Sequence, residues 1–110
     1  MIVNKKAYSV YILTNFNKTV LYTGITNNLE VRIIEHYMQS GESKSFTGKY
    51  YAHFLLYYED YKYVNEAIAR EKEIKGWTRI KKEALIKSMN PEFKFLNIEL
   101  FGKWPPEKIS

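Results

Sequence analysis

One run of residues, Tyr8–Thr14, constrains the fold of this chain more than any other part of the sequence. It is dense in β-branched and aromatic side chains, and both of its alternating faces are mostly apolar. This pattern is typical of a strand that is covered on both sides, whereas a strand with one solvated face alternates between apolar and polar residues. The run therefore predicts the central strand of a sheet.

The size of the chain limits the number of folded units. Its 110 residues correspond to one domain. A composition of 45% hydrophobic and 16% aromatic residues can supply a core and rules out wholesale disorder. We expect a single domain over residues 1–110, with a folded core over about 8–96 and frayed ends that include Pro105 and Pro106.

Two further runs are typical of strands. Residues 19–25 follow a short turn at 15–18 that contains two asparagines, so they predict an antiparallel hairpin with the first strand. Residues 52–58 again form an apolar run, which Glu59 and Asp60 are expected to close. The sequence thus predicts three strands.

Helices are predicted from apolar spacing and capping residues. The first follows a cap at Asn27 and ends near Gly41, and two more cover 64–76 and 78–88. The composition of residues 40–48 is that of a mobile loop. The predicted fold class is α+β, a small three-stranded antiparallel sheet flanked by about three helices.

Several classes of protein are excluded or disfavoured by what the sequence lacks. It has no cysteine, which excludes a disulfide framework, a thiol nucleophile and cysteine-ligated zinc. The N-terminal residues lack the apolar stretch of a signal peptide, and no segment approaches the roughly 18 unbroken apolar residues of a membrane span. We expect a cytoplasmic protein without membrane association.

The positive charge of the chain is concentrated in its C-terminal half. The net charge is +5, and residues 62–110 hold eleven basic and seven acidic side chains. Such a surplus favours a polyanionic partner, because phosphate contacts release condensed counterions. The candidates for these contacts are Lys72, Lys75, Arg79, Lys81 and Lys82. The alternative is an ordinary solvated helix face.

A carboxylate interrupts the apolar stripe of the helix predicted over 64–76. That stripe consists of Val64, Ala67, Ile68 and Ile74. On a helical wheel Glu71 falls within it. A charge on a core-facing surface is costly unless a cation or hydrogen-bond donors meet it. Two partners are possible for Glu71, a basic side chain such as Arg32 or a metal ion.

Polar and aromatic residues in the first half of the chain are candidates for chemistry. Arg32 and His36 are four residues apart and share one face of a helix, where they form either a phosphate-binding pair or a solvated edge. Tyr11 and Tyr22 are core residues with a polar tip, unless a metal or cation stabilises a phenolate. Gly24 permits a close approach or simply ends its strand.

Taken together, these residues resemble a known family. Ser9-Val10-Tyr11 and Tyr22-Thr23-Gly24 lie on the paired strands, and Arg32 and Glu71 follow on helices. With residues 22–36 and 66–77, this pattern resembles the GIY-YIG nucleases over about residues 8–96, most closely the small single-domain members related to the catalytic domain of the excision-repair incision subunit. Ser9 and Thr23 depart from the nominal motif at positions that are not catalytic, and Ile25 replaces a lysine of the repair branch.

The resemblance implies a role for each candidate. Glu71 is expected to bind one divalent cation, Mg²⁺ with Mn²⁺ as a substitute, and Arg32 to stabilise charge on the scissile phosphate. Tyr22, or a water activated near it, is expected to start the attack on phosphorus. Tyr11 is expected to position the nucleophile or a water, and His36 to support it.

Three functions follow from these observations. The first is a metal-dependent endonuclease that hydrolyses DNA phosphodiester bonds, with DNA repair or recombination as its expected setting and a protein partner or a homodimer supplying specificity. The second is a nucleic-acid-binding module that keeps the fold without hydrolytic activity. The third is a protein-interaction domain in which Glu71 and Arg32 form only a buried ion pair.

Overall fold

The computed structural model describes residues 7–106, which form a three-stranded antiparallel sheet and five helices. The strands are β1 (Tyr8–Thr14), β2 (Leu21–Thr26) and β3 (Phe54–Tyr61), in the order β2-β1-β3. The central position predicted for the first strand and the predicted hairpin are confirmed. Tyr11 lies opposite Gly24 on one side and Tyr58 on the other.

The strand bounds differ from the predicted ones because charged and polar side chains are satisfied locally. Glu59 and Asp60 lie inside β3 rather than closing it. The Glu59 carboxylate accepts hydrogen bonds from Tyr57, Tyr61 and Arg70, and Asp60 accepts one from Ser9 across the sheet. The second strand begins two residues later than predicted, since Asn15 binds the backbone amides of residues 19 and 20.

The helices are α1 (Leu29–Met38), α2 (Phe46–Tyr50), α3 (Val64–Lys75), α4 (Arg79–Met89) and α5 (Asn97–Phe101). Helix α4 begins one residue after the predicted start at 78, because Thr78 caps it, and α1 is capped by Asn28 rather than by the predicted Asn27. The Asn28 Oδ1 accepts from the amide of Val31 at 3.2 Å. No helix among residues 7–106 is long and apolar enough to cross a membrane.

Two of the helices, α2 and α5, were not predicted. Residues 46–48 were expected to belong to a loop over 40–48, but Ser45 caps a short helix there by accepting from the Gly48 amide at 3.1 Å. Gly48 is closely packed, because a Cβ there would lie 2.5 Å from the carbonyl oxygen of Glu42. Helix α5 begins at Asn97, whose buried side chain accepts from the Leu55 amide and donates to the His53 carbonyl.

Both faces of β1 are covered, which accounts for its apolar pattern. One face packs against α3 and α4 through Val10, Ile12, Leu56, Ala67, Ile74 and Ile86. The other face packs under α1 and α5 through Tyr11, Leu13, Ile33, Ala52, Leu55 and Leu96. In the C-terminal segment, Trp104 and Pro105 line a pocket. The expectation of fraying for residues 107–110 lies outside the described residues.

Candidate active site

The β1–β2 hairpin places two tyrosines on one face of the sheet. Tyr11 lies directly opposite Gly24, and Tyr22 is two residues before that glycine on β2. A Cβ on Gly24 would overlap the Tyr11 hydroxyl and would lie 2.9 Å from Cε2 of Tyr22. Glycine is therefore required for the Tyr11 ring to lie across β2, and the alternative of a simple strand exit is wrong. The two ring centroids are 6.3 Å apart.

The hydroxyl of Tyr11 begins a buried hydrogen-bond chain. Tyr11 Oη is 2.9 Å from Nε2 of His36, and His36 Nδ1 is 2.8 Å from Oγ1 of Thr47. All three side chains are buried, with Tyr11 and His36 each 1% exposed. Tyr11 is thus a core residue with a polar tip, and its tip has a specific partner. Thr47 was not predicted as a site residue because it comes from the short helix α2.

Burial keeps both members of this pair uncharged at neutral pH. Burial and the neighbouring Tyr22 raise the pKa of Tyr11 above its ordinary value, although the Arg32 guanidinium opposes this shift. Burial and the positive charge of Arg32 lower the pKa of His36 to about 4. At pH 7 the pair therefore consists of a phenol and a neutral imidazole, which has one donor and one acceptor nitrogen.

Arg32 faces the same pair from α1. Its Nη1 donates to Glu35 Oε1 at 3.0 Å. Burial acts against its charge, but the hydrogen bond with Glu35 and the attraction of Tyr11 raise its pKa above the ordinary value. His36 is buried, whereas Arg32 lies at the partly exposed edge of the same helix face, beside Tyr11. A permanent cation beside a phenol is suited to binding an anionic group.

Glu71 lies at the border of the buried face of α3 rather than at its centre. Only Ala67 and Ile74 of the predicted stripe are buried, whereas Val64 and Ile68 are 43% and 40% exposed. The Glu71 side chain retains 13% exposure and pairs with Lys75 Nζ at 2.7 Å. The ion pair considered with Arg32 is not formed, since Arg32 pairs with Glu35. Its partner Lys75 lines the same groove as Tyr22. Besides burial and Tyr22, the Glu71 charge also acts to raise the pKa of Tyr11.

The donor set around Glu71 fits one kind of cation site. Among residues 7–106 there is no group of three or more His, Cys, Asp or Glu side chains that could enclose a metal ion. Mg²⁺ is commonly bound by one or two carboxylates and completed by waters and substrate phosphates, not by an all-protein cage. The single, slightly exposed carboxylate of Glu71 is compatible with such a site. When no metal ion is bound, Lys75 is its counterion.

A groove runs along β2 beside the tyrosines. It has a volume of about 240 Å³ and is lined by Leu21, Tyr22, Thr23, Phe46, Lys75 and Lys82. Phe46 stacks on Tyr22 with an angle of 26° between the rings. Thr23 Oγ1 is the one buried side-chain polar atom without a hydrogen bond in the described part of the chain. The groove therefore combines an aromatic platform with two ammonium groups, of which that of Lys75 is paired with Glu71.

The basic residues predicted to contact phosphate are used in different ways. Lys75 and Lys82 line the groove, and Lys72 is exposed on α3. Lys81 Nζ lies over the Trp77 ring at 4.4 Å. Arg79 has a structural role, because its guanidinium donates to the carbonyls of residues 18 and 19 at 2.9 Å each and to Glu83 at 3.0 Å. Its donors hold the β1–β2 turn against α4.

The low pKa of His36 predicts an acid-dependent loss of stability. Its pKa falls from 6.5 to about 4 on folding, so protonation favours the unfolded chain as the pH drops through this interval. The shift corresponds to about 3 kcal/mol of unfolding free energy, present above pH 6.5 and lost towards pH 4. Urea unfolding between pH 7 and pH 4.5 measures the effect.

Substitution separates His36 from the other buried imidazole. Burial also lowers the pKa of His53, so it contributes in the same direction. His36→Gln is expected to flatten the pH dependence of the unfolding free energy. His53→Gln is the matched control, because it removes the contribution of the other buried imidazole. An unchanged slope in His36→Gln would show that this imidazole is not the titrating group.

Comparison with known proteins gives consistent results. The family model described as the GIY-YIG catalytic domain matches residues 7–84. A UPF0213 protein of Natronomonas pharaonis is 39% identical over 77 residues, covering 70% of this chain and 87% of that protein. A UPF0213 protein of Bacillus pumilus is 36% identical over 72 residues, covering 66% of this chain and 71% of the relative.

The fold has a counterpart among solved structures. The solution NMR structure of a UPF0213 protein from Bacillus halodurans aligns with a TM-score of 0.53 and 26% sequence identity. The alignment covers 84% of this chain and 95% of that one. The predicted α+β class with a three-stranded antiparallel sheet is confirmed, with five helices in the described residues rather than about three.

Proposed function

The chain belongs to the GIY-YIG family, and from that premise we propose that it is a metal-dependent endonuclease that hydrolyses DNA phosphodiester bonds. The observation that carries the proposal is the buried contact of Tyr11 with His36 at 2.9 Å, beside the Arg32 guanidinium. A nucleophile held in place and an anionic transition state require such groups. We assign the reaction to DNA repair or recombination in the cytoplasm, with a partner protein or a second copy selecting the substrate.

His36 fixes the direction of the Tyr11 hydroxyl. When Tyr11 Oη donates to His36 Nε2, the imidazole proton lies on Nδ1 and is donated to Thr47 Oγ1. In this arrangement Tyr11 remains a neutral phenol with a fixed direction, and it positions the nucleophile. Tyr22, or a water activated near it, starts the attack: the water loses a proton to the solvent of the groove while its oxygen bonds to phosphorus. The bond from phosphorus to the leaving sugar oxygen breaks, and that oxygen takes up a proton from solvent. Thr47 acts as a positioning residue, because it keeps the Nε2 lone pair directed at the phenol.

The other three residues act on the phosphate. Tyr22 borders the groove, where its phenol orients the attacking water. Arg32 stays protonated and stabilises negative charge on the phosphate oxygens. Glu71 would hold the single Mg²⁺ or Mn²⁺ ion, which supplies Lewis-acid polarisation of the phosphate when bound. Lys75 and Lys82 would bind neighbouring phosphates along the groove.

Incubation of the purified protein with supercoiled plasmid or branched DNA tests the proposal. Mg²⁺ or Mn²⁺ is expected to produce nicks or cuts, and chelation of the metal is expected to stop them. Salt-sensitive DNA binding without turnover under either metal would instead support the non-catalytic binding module.

Removal of the Thr47 hydroxyl is expected to slow cleavage by about tenfold. Thr47→Val keeps the shape of the side chain but leaves His36 Nδ1 without its 2.8 Å partner, and a buried unpaired polar group costs about 1–3 kcal/mol. Single-turnover cleavage rates across pH 6–9 measure the effect. Thr47→Ser, which retains the hydroxyl, is the control and is expected to keep most of the rate. Equal rates in the valine variant would contradict the positioning role.

Lys82 is expected to contribute to binding in a salt-dependent way. Lys82→Ala removes one ammonium group from the groove, so the slope of log affinity against log salt should fall by about one. Fluorescence anisotropy with a labelled duplex at several salt concentrations measures the slope. Lys87→Ala, which removes an exposed cation of the same helix that does not line the groove, is the matched control. Identical slopes in both variants would exclude the groove as the phosphate-binding surface.

A further inference from the structure

A second pocket lies at the end of the sheet where β1 finishes and β3 begins. Its volume is about 390 Å³. Most of its wall is aromatic or apolar, contributed by Phe16, Tyr37, Phe54, Phe95, Ile98 and Trp104. Phe54 and Phe95 are stacked with centroids 4.4 Å apart, and Phe16 meets Phe54 edge-on at 6.0 Å. The walls therefore present flat aromatic rings to a bound ligand.

His53 also lines this pocket, and its hydrogen bonds define which nitrogen carries the proton. Ser40 Oγ donates its only proton to the Tyr37 carbonyl at 2.6 Å. At the 3.0 Å contact between Ser40 Oγ and His53 Nδ1, the hydroxyl oxygen must therefore accept and Nδ1 must donate. Burial lowers the pKa of His53, so the ring is neutral and Nε2 is a bare acceptor.

The Nε2 atom of His53 is available to a ligand. The side chain is 93% buried, because its exposure is 7%. His53 lines the pocket, and its Nδ1 is directed at Ser40. The nitrogen on the other side of the ring, Nε2, is therefore the one that a ligand in the pocket can contact. A buried acceptor without a partner is costly, and a donor on a ligand would satisfy it.

The mouth of the pocket is open and carries a positive charge. Phe16 and Ile98 are 71% and 56% exposed at its edge. The Lys18 ammonium lies 5.0 Å from the centroid of the Phe95 ring. Arg79 holds the carbonyl of Lys18 at 2.9 Å, which fixes the backbone at this edge. A ligand with an aromatic end and an anionic end fits this arrangement.

From these contacts we propose that the pocket binds a nucleobase, with Lys18 beside the attached phosphate. Aromatic walls stack on a base of any sequence, and His53 Nε2 accepts from an amino or imino N–H on the base edge. A purely aliphatic ligand would leave Nε2 unsatisfied. Thr14 at the pocket end of β1 is three residues from Tyr11, about 10 Å along a strand, which is close to three stacked nucleotides.

The base belongs either to a strand cut in the active site or to a free nucleotide. The first source rests on the proposed nuclease function, whereas the second does not. Binding is therefore measured in a Glu71→Gln background, in which cleavage does not interfere. Loss of cleavage activity and loss of base binding are then separate results.

Tryptophan fluorescence reports binding directly. In a Trp77→Phe variant Trp104 is the remaining tryptophan, and it lines the pocket. We expect saturable quenching by adenosine monophosphate or by an eight-residue oligodeoxyadenylate, and none by ribose 5-phosphate. Purine riboside monophosphate stacks but has no N–H donor on its base, so it should bind about tenfold more weakly than adenosine monophosphate. Indole and amide NMR shifts of the protein with Trp77 intact give a second readout.

Substitution at the open mouth provides the decisive comparison. Phe16→Ala is expected to weaken binding by about tenfold, whereas Ile80→Ala, at an 80% exposed position outside the pocket, should leave it unchanged. Binding of the oligonucleotide alone assigns the base to a strand, and binding of the mononucleotide assigns it to a free ligand. Absence of binding by both, or equal binding by Phe16→Ala, overturns the proposal.

Discussion

Glu71→Gln is expected to lower Mg²⁺-dependent DNA cleavage by about 10²- to 10³-fold, while DNA affinity and the fold are retained. The substitution keeps the size of the side chain but removes the negative charge that would hold the cation. Among the described residues, the Glu71 side chain pairs with the exposed Lys75 Nζ at 2.7 Å, and an ion pair with an exposed partner contributes little folding energy. Cleavage measured against Mg²⁺ concentration gives the effect on rate and on apparent metal affinity.

A matched control lies on the same helix. Glu73 is an exposed α3 carboxylate that pairs with Arg70 at 2.9 Å, so Glu73→Gln removes an equal charge away from the tyrosines. It is expected to leave cleavage within about twofold of the unsubstituted protein. Should Glu71→Gln cleave as well as Glu73→Gln, the proposed metal site is wrong. A sharp fall in thermal stability with an unaltered response to metal would point to the protein-interaction domain.

Gly24→Ala is expected to destabilise the fold and to remove most activity at once. The added Cβ would overlap the Tyr11 hydroxyl, and this ring is 1% exposed with little room to move. Overpacking of this kind costs about 1–3 kcal/mol, or roughly 5–15 °C in melting temperature. Any movement of Tyr11 that relieves the overlap also lengthens its 2.9 Å contact with His36.

The control for this substitution is Gly76→Ala. A Cβ on Gly76 would meet its nearest neighbour, the Glu73 carbonyl oxygen, at an ordinary 3.5 Å. Thermal unfolding and cleavage of Gly76→Ala are therefore expected to match the unsubstituted protein. Equal melting temperatures for the two alanine variants would show that the Tyr11 ring does not lie across β2.

Much of the fold could be predicted because its main elements have long, regular patterns. The apolar run of β1 indicated coverage on two faces, and both cores are present. The elements that were missed, α2 and α5, have five residues each, too few for a helical period to be visible. Their positions depend on caps and on contacts between distant parts of the chain.

The sequence allowed the residues of the candidate site to be proposed, but it did not allow the contacts between them to be predicted. The Glu71–Lys75 pair has i,i+4 spacing and could have been predicted from the sequence. The use of Arg79 could not, because its partners are carbonyls about sixty residues away. Thr47 was missed because its contact with His36 joins two helices across a loop, and no regular sequence spacing indicates such a contact. Exposure of Val64 and Ile68 likewise depends on how α3 meets the sheet.

The short length of α2 determines how firmly Thr47 is held beside His36. A helix of five residues has too few internal hydrogen bonds to persist alone, so residues 46–50 are held by surrounding contacts. Local opening of this segment would withdraw Thr47 from His36 without unfolding the sheet. Under the proposed function, the equilibrium of this local opening determines the fraction of molecules in which Thr47 holds His36 in place. Amide hydrogen exchange of residues 46–50 measures it, and faster exchange should accompany slower turnover.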